Sequence, residues 1–308
     1  MDSREKSPYV AVVGGVNVDI GGIPFEAPRA NDSSPGVVRT AVGGVGQNIA
    51  RNLRLLGVPV TLLTAFGWDE HGRAVQRVCE SAGIDLSSAL QSAEKPTSVY
   101  LYIADEKGDM QLAVSDMDIC RLISPDYLAM QEKVLNGARA VVMDANIPKE
   151  SVLWLAEHVC VPLYADPVSL AKAEKLRPVL GRLHALKPNR LEAEILSGIP
   201  IRDEKGLRAS AEKLLSTGLR RVFISLGAKG VFAADASGGA LILCCPARAV
   251  SMTGAGDAFL AGLVRAGLDG LSTAGSARFA CAVAAVAVES AETVNPRLSL
   301  AAARQKLS

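Results

Sequence analysis

One acid in this chain stands directly behind three small residues: Asp257, in 250-VSMTGAGDAFLAG-262. From Ala258 on, the apolar residues Phe259, Leu260, Leu263 and Val264 recur at helical spacing, so Gly254, Ala255 and Gly256 sit at a helix N-terminus. The free N–H groups and the dipole of such an end hold anions, and glycine lets the backbone come close. A carboxylate there would repel an anion. It makes sense as a general base that takes the proton of a hydroxyl while the amides stabilise a phosphoryl group in transfer. The plain structural alternative is a capping Asp after an ordinary glycine turn.

Three further stretches carry candidate groups. In 15-GVNVD-19 and 41-AVGGVGQNIARNLRLLG-57, Asn17, Asp19 and Asn48 fall at strand and helix ends, beside Gly43 and Gly44. Asp19 offers two acceptor oxygens and Asn48 both a donor and an acceptor, a set that suits a vicinal diol such as ribose. The alternative is a turn followed by a capped helix. In 185-ALKPNRLEAEILSG-198, Asn189 and Glu192 stand three apart at a helix start. They suit a capping box, or a carboxylate that orders the water shell of Mg2+, with Asp166 of 163-LYADPVS-169 assisting. In 222-VFISLGAKG-230, Ser225, Gly227 and Gly230 suit a loop curled around a nucleotide, or a simple hairpin turn.

Other chemistries are disfavoured. Gly254-x-Gly256 lacks the third glycine of a dinucleotide fingerprint, and Gly44-x-Gly46 has Ile49 in that place. No G-x-x-x-x-G-K-[ST] motif occurs. The net charge of +1, from 33 basic and 32 acidic residues without a basic block, argues against nucleic acid or an anionic membrane as partner. The six cysteines form no C-x-x-C and read as thiols in a reducing compartment. The charged N-terminus is no signal peptide, and the run 279–288 is too short to span a bilayer, so a cytoplasmic protein is expected.

The elements that must hold these groups alternate. Strands are expected at Tyr9–Val13, Val60–Ala65, Ala140–Asp144, Leu163–Asp166, Ala185–Leu186 and Arg221–Ser225. Helices are expected at Gln47–Leu56 and His71–Ala82, with more between most of the later strands. The pattern predicts an α/β fold, a mainly parallel sheet with helices on both faces, whose ligands bind at the carboxyl ends of the strands. Two segments break the rhythm. Residues 21–41 are rich in Pro, Gly, Ser and Asn. Residues 97–118 alternate around the turn Asp105-Glu106-Lys107-Gly108, a hairpin with one wet and one covered face. Together, over about 20–41 and 97–120, they are expected to form a small β-lid on a single domain spanning 1–308, and an exposed lid edge invites a homodimer.

In order and spacing these motifs resemble the PfkB/ribokinase family of sugar and nucleoside kinases, from about Tyr9 to Pro296. Gly43-Gly44-x-Gly46-x-Asn48 with Gly57 is similar to the family's N-terminal signature, Ser251 to Asp257 to its C-terminal one, and Asn189-x-x-Glu192 to its N-x-x-E motif. The resemblance implies Asp257 as catalytic base and Gly254, Ala255 and Gly256 as anion hole. It places Asp19, Gly43, Gly44 and Asn48 on the sugar. Asn189, Ser225, Gly227, Gly230, Thr253 and Cys281 fall on the ATP side, and Glu192 with Asn189 and Asp166 near Mg2+. Where the family usually has Asp-Thr, this chain has Ser251-Met252, which leaves a monovalent cation (K+) without a usual ligand. Many relatives have Asn where Cys281 stands; the alternative there is a core thiol. The stretches 115-SDMDI-119, 166-DPVS-169 and 186-LKPNRLEAEILSGI-199 further resemble the branch that phosphorylates the 5′-hydroxyl of pseudouridine. Base recognition would then fall to Ser98, Tyr100, Asp116, Met117 and Asn146, with Tyr100 and Met117 equally able simply to pack beneath the lid. Another sugar or nucleoside acceptor, or a non-catalytic nucleotide-binding regulator, stays open.

Overall fold

The computed structural model describes residues 8–28, 31–105 and 110–307. The chain starts with β1 (Val10–Val13), β2 (Asn17–Pro24), β3 (Gly36–Gly43), α1 (Val45–Leu55), β4 (Val60–Leu63), β5 (Ala65–Gly67), α2 (Glu70–Ser81) and β6 (Leu90–Ser92). It continues with β7 (Val99–Ala104), β8 (Met110–Asp116), α3 (Pro125–Met130), α4 (Glu132–Asn136), β9 (Ala140–Asp144), α5 (Lys149–His158), β10 (Leu163–Asp166) and α6 (Leu170–Ala173). Then follow β11 (Ala185–Leu186), α7 (Arg190–Ser197), α8 (Glu204–Leu215), β12 (Arg221–Ser225), β13 (Val231–Asp235), β14 (Gly238–Ile242), α9 (Ala255–Leu268), α10 (Thr273–Ala287) and α11 (Leu300–Gln305).

The large sheet runs β14-β13-β12-β11-β10-β9-β1-β4. From β12 to β4 all pairs are parallel; β13 and β14 add an antiparallel edge. Its strands are apolar throughout because both faces are covered. The two-residue period of β1 splits the core: Val10 and Val12 pack with Ile49 of α1, Val75 of α2 and Leu263 of α9, while Ala11 and Val13 pack with Leu128 of α3, Leu155 of α5 and Leu214 of α8. Helices α9 and α10 approach closely at Gly262, where a Cβ would lie 2.8 Å from Ala280 Cα. That packing fixes the start of α9, and with it Asp257.

A second sheet runs β3-β2-β7-β8, and β2 leaves the carboxyl end of β1 after only three residues, 14–16. The hairpin expected around 105–108 is present as the β7–β8 pair; residues 106–108 of its turn lie outside the described residues. The register puts Ile20, Val38, Leu101, Ile103, Leu112 and Val114 on one face, and Asn17, Asp19, Tyr100, Tyr102 and Ser115 on the other. The apolar face is the wet one: Val38 is 71% exposed, Leu112 65% and Val114 59%. Alternation distinguishes two faces but does not say which is covered, and here only the inner ends of the strands, such as Val18, reach the core.

Asp69 ties this sheet to the main body. It caps α2 through Gly72 N–H at 2.7 Å and accepts from both the N–H and the hydroxyl of Thr97, each at 2.7 Å, just ahead of β7. Replacing Asp69 by Ala strands three donors and is expected to lower stability by about 2 kcal/mol in urea unfolding, more than an ordinary cap loss of about 1 kcal/mol.

Candidate active site

The carboxyl ends of β1 and β9 meet the start of α1 at a knot of glycines. A Cβ on Gly44 (φ +100°) would strike Gly15 O at 2.5 Å, and one on Gly14 would strike Asp144 Oδ2 at 2.3 Å. Asp144, at the end of β9, is 1% exposed and accepts from Gly15 N–H at 2.9 Å and Asn146 N–H at 2.8 Å. Burial pushes its carboxyl up to about 6 against those bonds. Beside the knot, Asn17 Nδ2 donates to Asp19 Oδ1 at 2.6 Å, and a Cβ on Gly43 would lie 2.2 Å from Asp19 Oδ2. Asn17, Asp19 and Gly43 thus form one group, with the Asp19 carboxyl raised by burial.

Asp257 lies in the first turn of α9. The helix starts at Ala255, earlier than the apolar spacing implies, and Gly254 precedes it at φ +79°, where a Cβ would strike Thr293 O at 2.0 Å. Ala255 N–H donates to Met252 O at 3.3 Å, which leaves Gly256 and Asp257 as the amides that helix geometry frees. Asp257 is therefore not the cap. Its Oδ2 accepts from Asn48 Nδ2 at 2.8 Å, while Asn48 Oδ1 is buried with no protein partner. Burial first, then the field of Asp166, pushes the Asp257 carboxyl up to about 7, with Asn48 and Lys187 pulling the other way.

One side of this turn opens on an apolar cavity of about 370 Å³ lined by Ser225, Gly227, Gly230, Ala255, Gly256 and Cys281, among others. Gly227 (φ +62°) and Gly230 (φ +103°) shape the β12–β13 turn that walls it, and a Cβ on Gly230 would strike Ile242 O at 2.1 Å. Thr253 is exposed beside it. Asn189 and Glu192 form a full capping box on α7, with Asn189 Oδ1 accepting from Glu192 N–H at 2.9 Å and Glu192 Oε2 from Asn189 N–H at 2.8 Å. Glu192 is 4% exposed and its carboxyl is raised by burial. In Asp166 one oxygen accepts from Val168 N–H at 2.8 Å, and the other is buried in an ion pair with Lys187 Nζ at 2.9 Å.

Near the β1 turn, Met117 Cε and Asn146 flank Gly15, and Asp116, Met117 and Asn146 share a polar cavity of about 770 Å³. Tyr100 stands on the same sheet face as Asp19, whereas Ser98 is 1% exposed beside Cys120. Sequence reasoning passed over three groups here: Asp144, Lys172, whose amine donates to Asn146 Oδ1 at 2.6 Å, and Lys187. A charged residue directly after the apolar pair Ala185-Leu186 was the available signal for Lys187.

The family to which the chain belongs is one of ATP-dependent phosphotransferases. The sequence profile of the pfkB family carbohydrate kinases matches residues 7–299, and the chain belongs to that family. It is 38% identical to a pseudouridine kinase of Escherichia coli K12 over 97% of this chain and 96% of that protein. It is 35% identical to an uncharacterized sugar kinase of the same organism, over 94% and 81%. The structure of Arabidopsis thaliana ribokinase complexed with ribose and ATP superposes with a TM-score of 0.86 over 98% of this chain and 99% of that one; at 22% identity it shows the shared ribokinase-like fold. No helix among the described residues is long and apolar enough to cross a membrane.

Asp257 resists ionisation in the folded state, since its pKa rises from 3.8 to about 7. The folded protein therefore binds this proton more tightly than the unfolded chain, and stability falls as pH rises through that window. Asp257→Asn, which cannot ionise, is expected to melt above the wild type at pH 8, with the gap closing toward pH 4 in parallel thermal scans.

Proposed function

We propose that the protein transfers the γ-phosphoryl group of ATP to the 5′-hydroxyl of pseudouridine, with Asp257 as general base. The observation that carries this reading is a carboxylate with its pKa pushed up to about 7 at the free amides of a helix N-terminus, whose residues Ala255 and Gly256 line an apolar cavity. The apolar cavity takes the purine. Asn17, Asp19, Gly43 and Asn48 take the ribose hydroxyls, with Asn48 Oδ1 and Asp19 as acceptors. Asn146, held by Lys172, and Met117 bound the base. The 38% identity to a pseudouridine kinase supports this acceptor. The small sheet acts as the lid of a single kinase domain, and its closure excludes water that would compete as acceptor.

A magnesium ion fits this site as a companion of the nucleotide. Among the described residues no three His, Cys, Asp or Glu side chains could hold a metal together, so the ion depends on the phosphates, which suits Mg2+. Glu192, with one oxygen committed to its capping box, has the other to order the ion's water. When bound, the ion neutralises phosphate charge.

The test is ADP release with pseudouridine, uridine, cytidine, adenosine, ribose and fructose at equal concentration. Preference for pseudouridine is expected; preference for another acceptor keeps the kinase and discards the substrate. Asp257→Asn is expected to lose roughly 10²–10⁴-fold in kcat, and wild-type kcat/KM should fall with acid below about pH 7, as the base is protonated.

The outward face of the lid suits a second copy of this chain. Contiguous exposed apolar surface is uncommon on monomers, and Val38, Leu101, Ile103, Leu112 and Val114 provide it next to the open edges of β3 and β8. Light scattering is expected to give a dimer that Leu112→Asp with Val114→Asp splits; a wild-type monomer would refute the pairing.

A further inference from the structure

We propose that Lys187 is a catalytic residue that contacts the phosphoryl group in transit, with Asp166 as the counter-ion that holds its amine in place. This rests on the reading of Asp257 as the base at the same helix end. Lys187 follows β11 directly, and its side chain is only 10% exposed. The amine pairs with Asp166 Oδ2 at 2.9 Å and lines the cavity that Gly256 also lines. A Cβ on Gly256 would lie 2.9 Å from Lys187 Nζ. The ammonium therefore sits over the second residue of α9, where the free amides gather. Any side chain at position 256 would displace it, which gives Gly256 a purpose beyond backbone approach.

A counter-ion role alone does not account for this placement. Burying a lysine against one aspartate is no cheaper than an apolar pair of the same volume. Here the amine is also in the field of Asp257 and Glu192, whose carboxylates come from two other elements. At the phosphoryl transfer site the charge to be stabilised lies on three equatorial oxygens. The amides of Gly256 and Asp257 supply two neutral donors, and Lys187 supplies the full positive charge. In the step itself the acceptor O–H bond breaks and its proton goes to Asp257. The acceptor oxygen forms a bond to the γ-phosphorus. The bond from that phosphorus to the bridging oxygen breaks, and its electron pair stays on ADP. Lys187 keeps all three protons throughout.

The test compares Lys187→Met, Lys187→Arg, and Lys187→Met with Asp166→Asn, the last leaving no unpaired carboxylate if the single variant folds poorly. All are assayed beside Asp257→Asn, with the best acceptor of the panel. The double variant is expected to melt within a few degrees of wild type. Its kcat should fall on the order of 10²–10³-fold, with acceptor KM nearly unchanged, and Lys187→Arg should recover part of the loss. The acid limb of the kcat/KM profile should move to higher pH in Lys187→Met, where the charge that favours the Asp257 carboxylate is gone, and to lower pH in the double variant, where the larger opposing field of Asp166 is gone as well. Turnover within about threefold of wild type, with an unmoved acid limb, would overturn the proposal and leave Lys187 as a counter-ion only. Wild-type turnover in Asp257→Asn would instead sink the base assignment, whatever the lysine variants do.

Discussion

Four carboxylates converge on the carboxyl edge of the sheet with one buried ammonium among them. Asp144 ends β9, Asp166 ends β10, Glu192 opens α7 and Asp257 opens α9; Asp144, Asp166 and Glu192 are each under 5% exposed, and Lys187 is 8% exposed. Like charges this close cannot all ionise freely, so something must set their order of protonation. The protein does it by unequal partnering. Asp144 takes two backbone N–H groups and Asp166 takes one together with the ammonium, while Glu192 is tied to its own helix start. Asp257 has one amide, Asn48, and stays the hardest to ionise relative to its ordinary value. The least compensated carboxylate is the one at the free amides of the α9 start.

Small residues make this crowding sterically feasible. Gly14 and Gly46 let Asp144 lie against the β1 turn and α1, Gly43 admits the Asp19 carboxylate, and Gly256 admits the lysine amine. Each is a place where a methyl group would occupy the position of a charged atom. The glycine-rich signatures are thus as much spaces for side chains as points of close backbone approach.

Much of the frame was legible. The strands 140–144, 163–166, 185–186 and 221–225 appear with the bounds that their apolar runs and turn residues imply. Asp257, Asn48 and the glycines stood out because small residues next to an acid are rare without a reason. Lys187 did not, because spacing marks a face or a cap and carries no sign that a lysine is buried against a carboxylate some 20 positions earlier in the chain. The Asp166–Lys187 pair is hidden for the same reason: the lysine follows the next strand over, and only the parallel register brings the two together. The β7–β8 hairpin of the small sheet was recognisable from alternation, but the outward turn of its apolar face depends on how β2 leaves β1.

That departure has a lasting effect. β2 carries Asn17 and Asp19 out of the main sheet within a few residues of Val13, so they stand on the smaller sheet while Asp257 stands on a helix packed against the larger one. Mutations that reshape the smaller sheet leave the packing of α9 on α10 untouched. A lineage built this way can vary the smaller sheet while inheriting the core of the larger one unchanged.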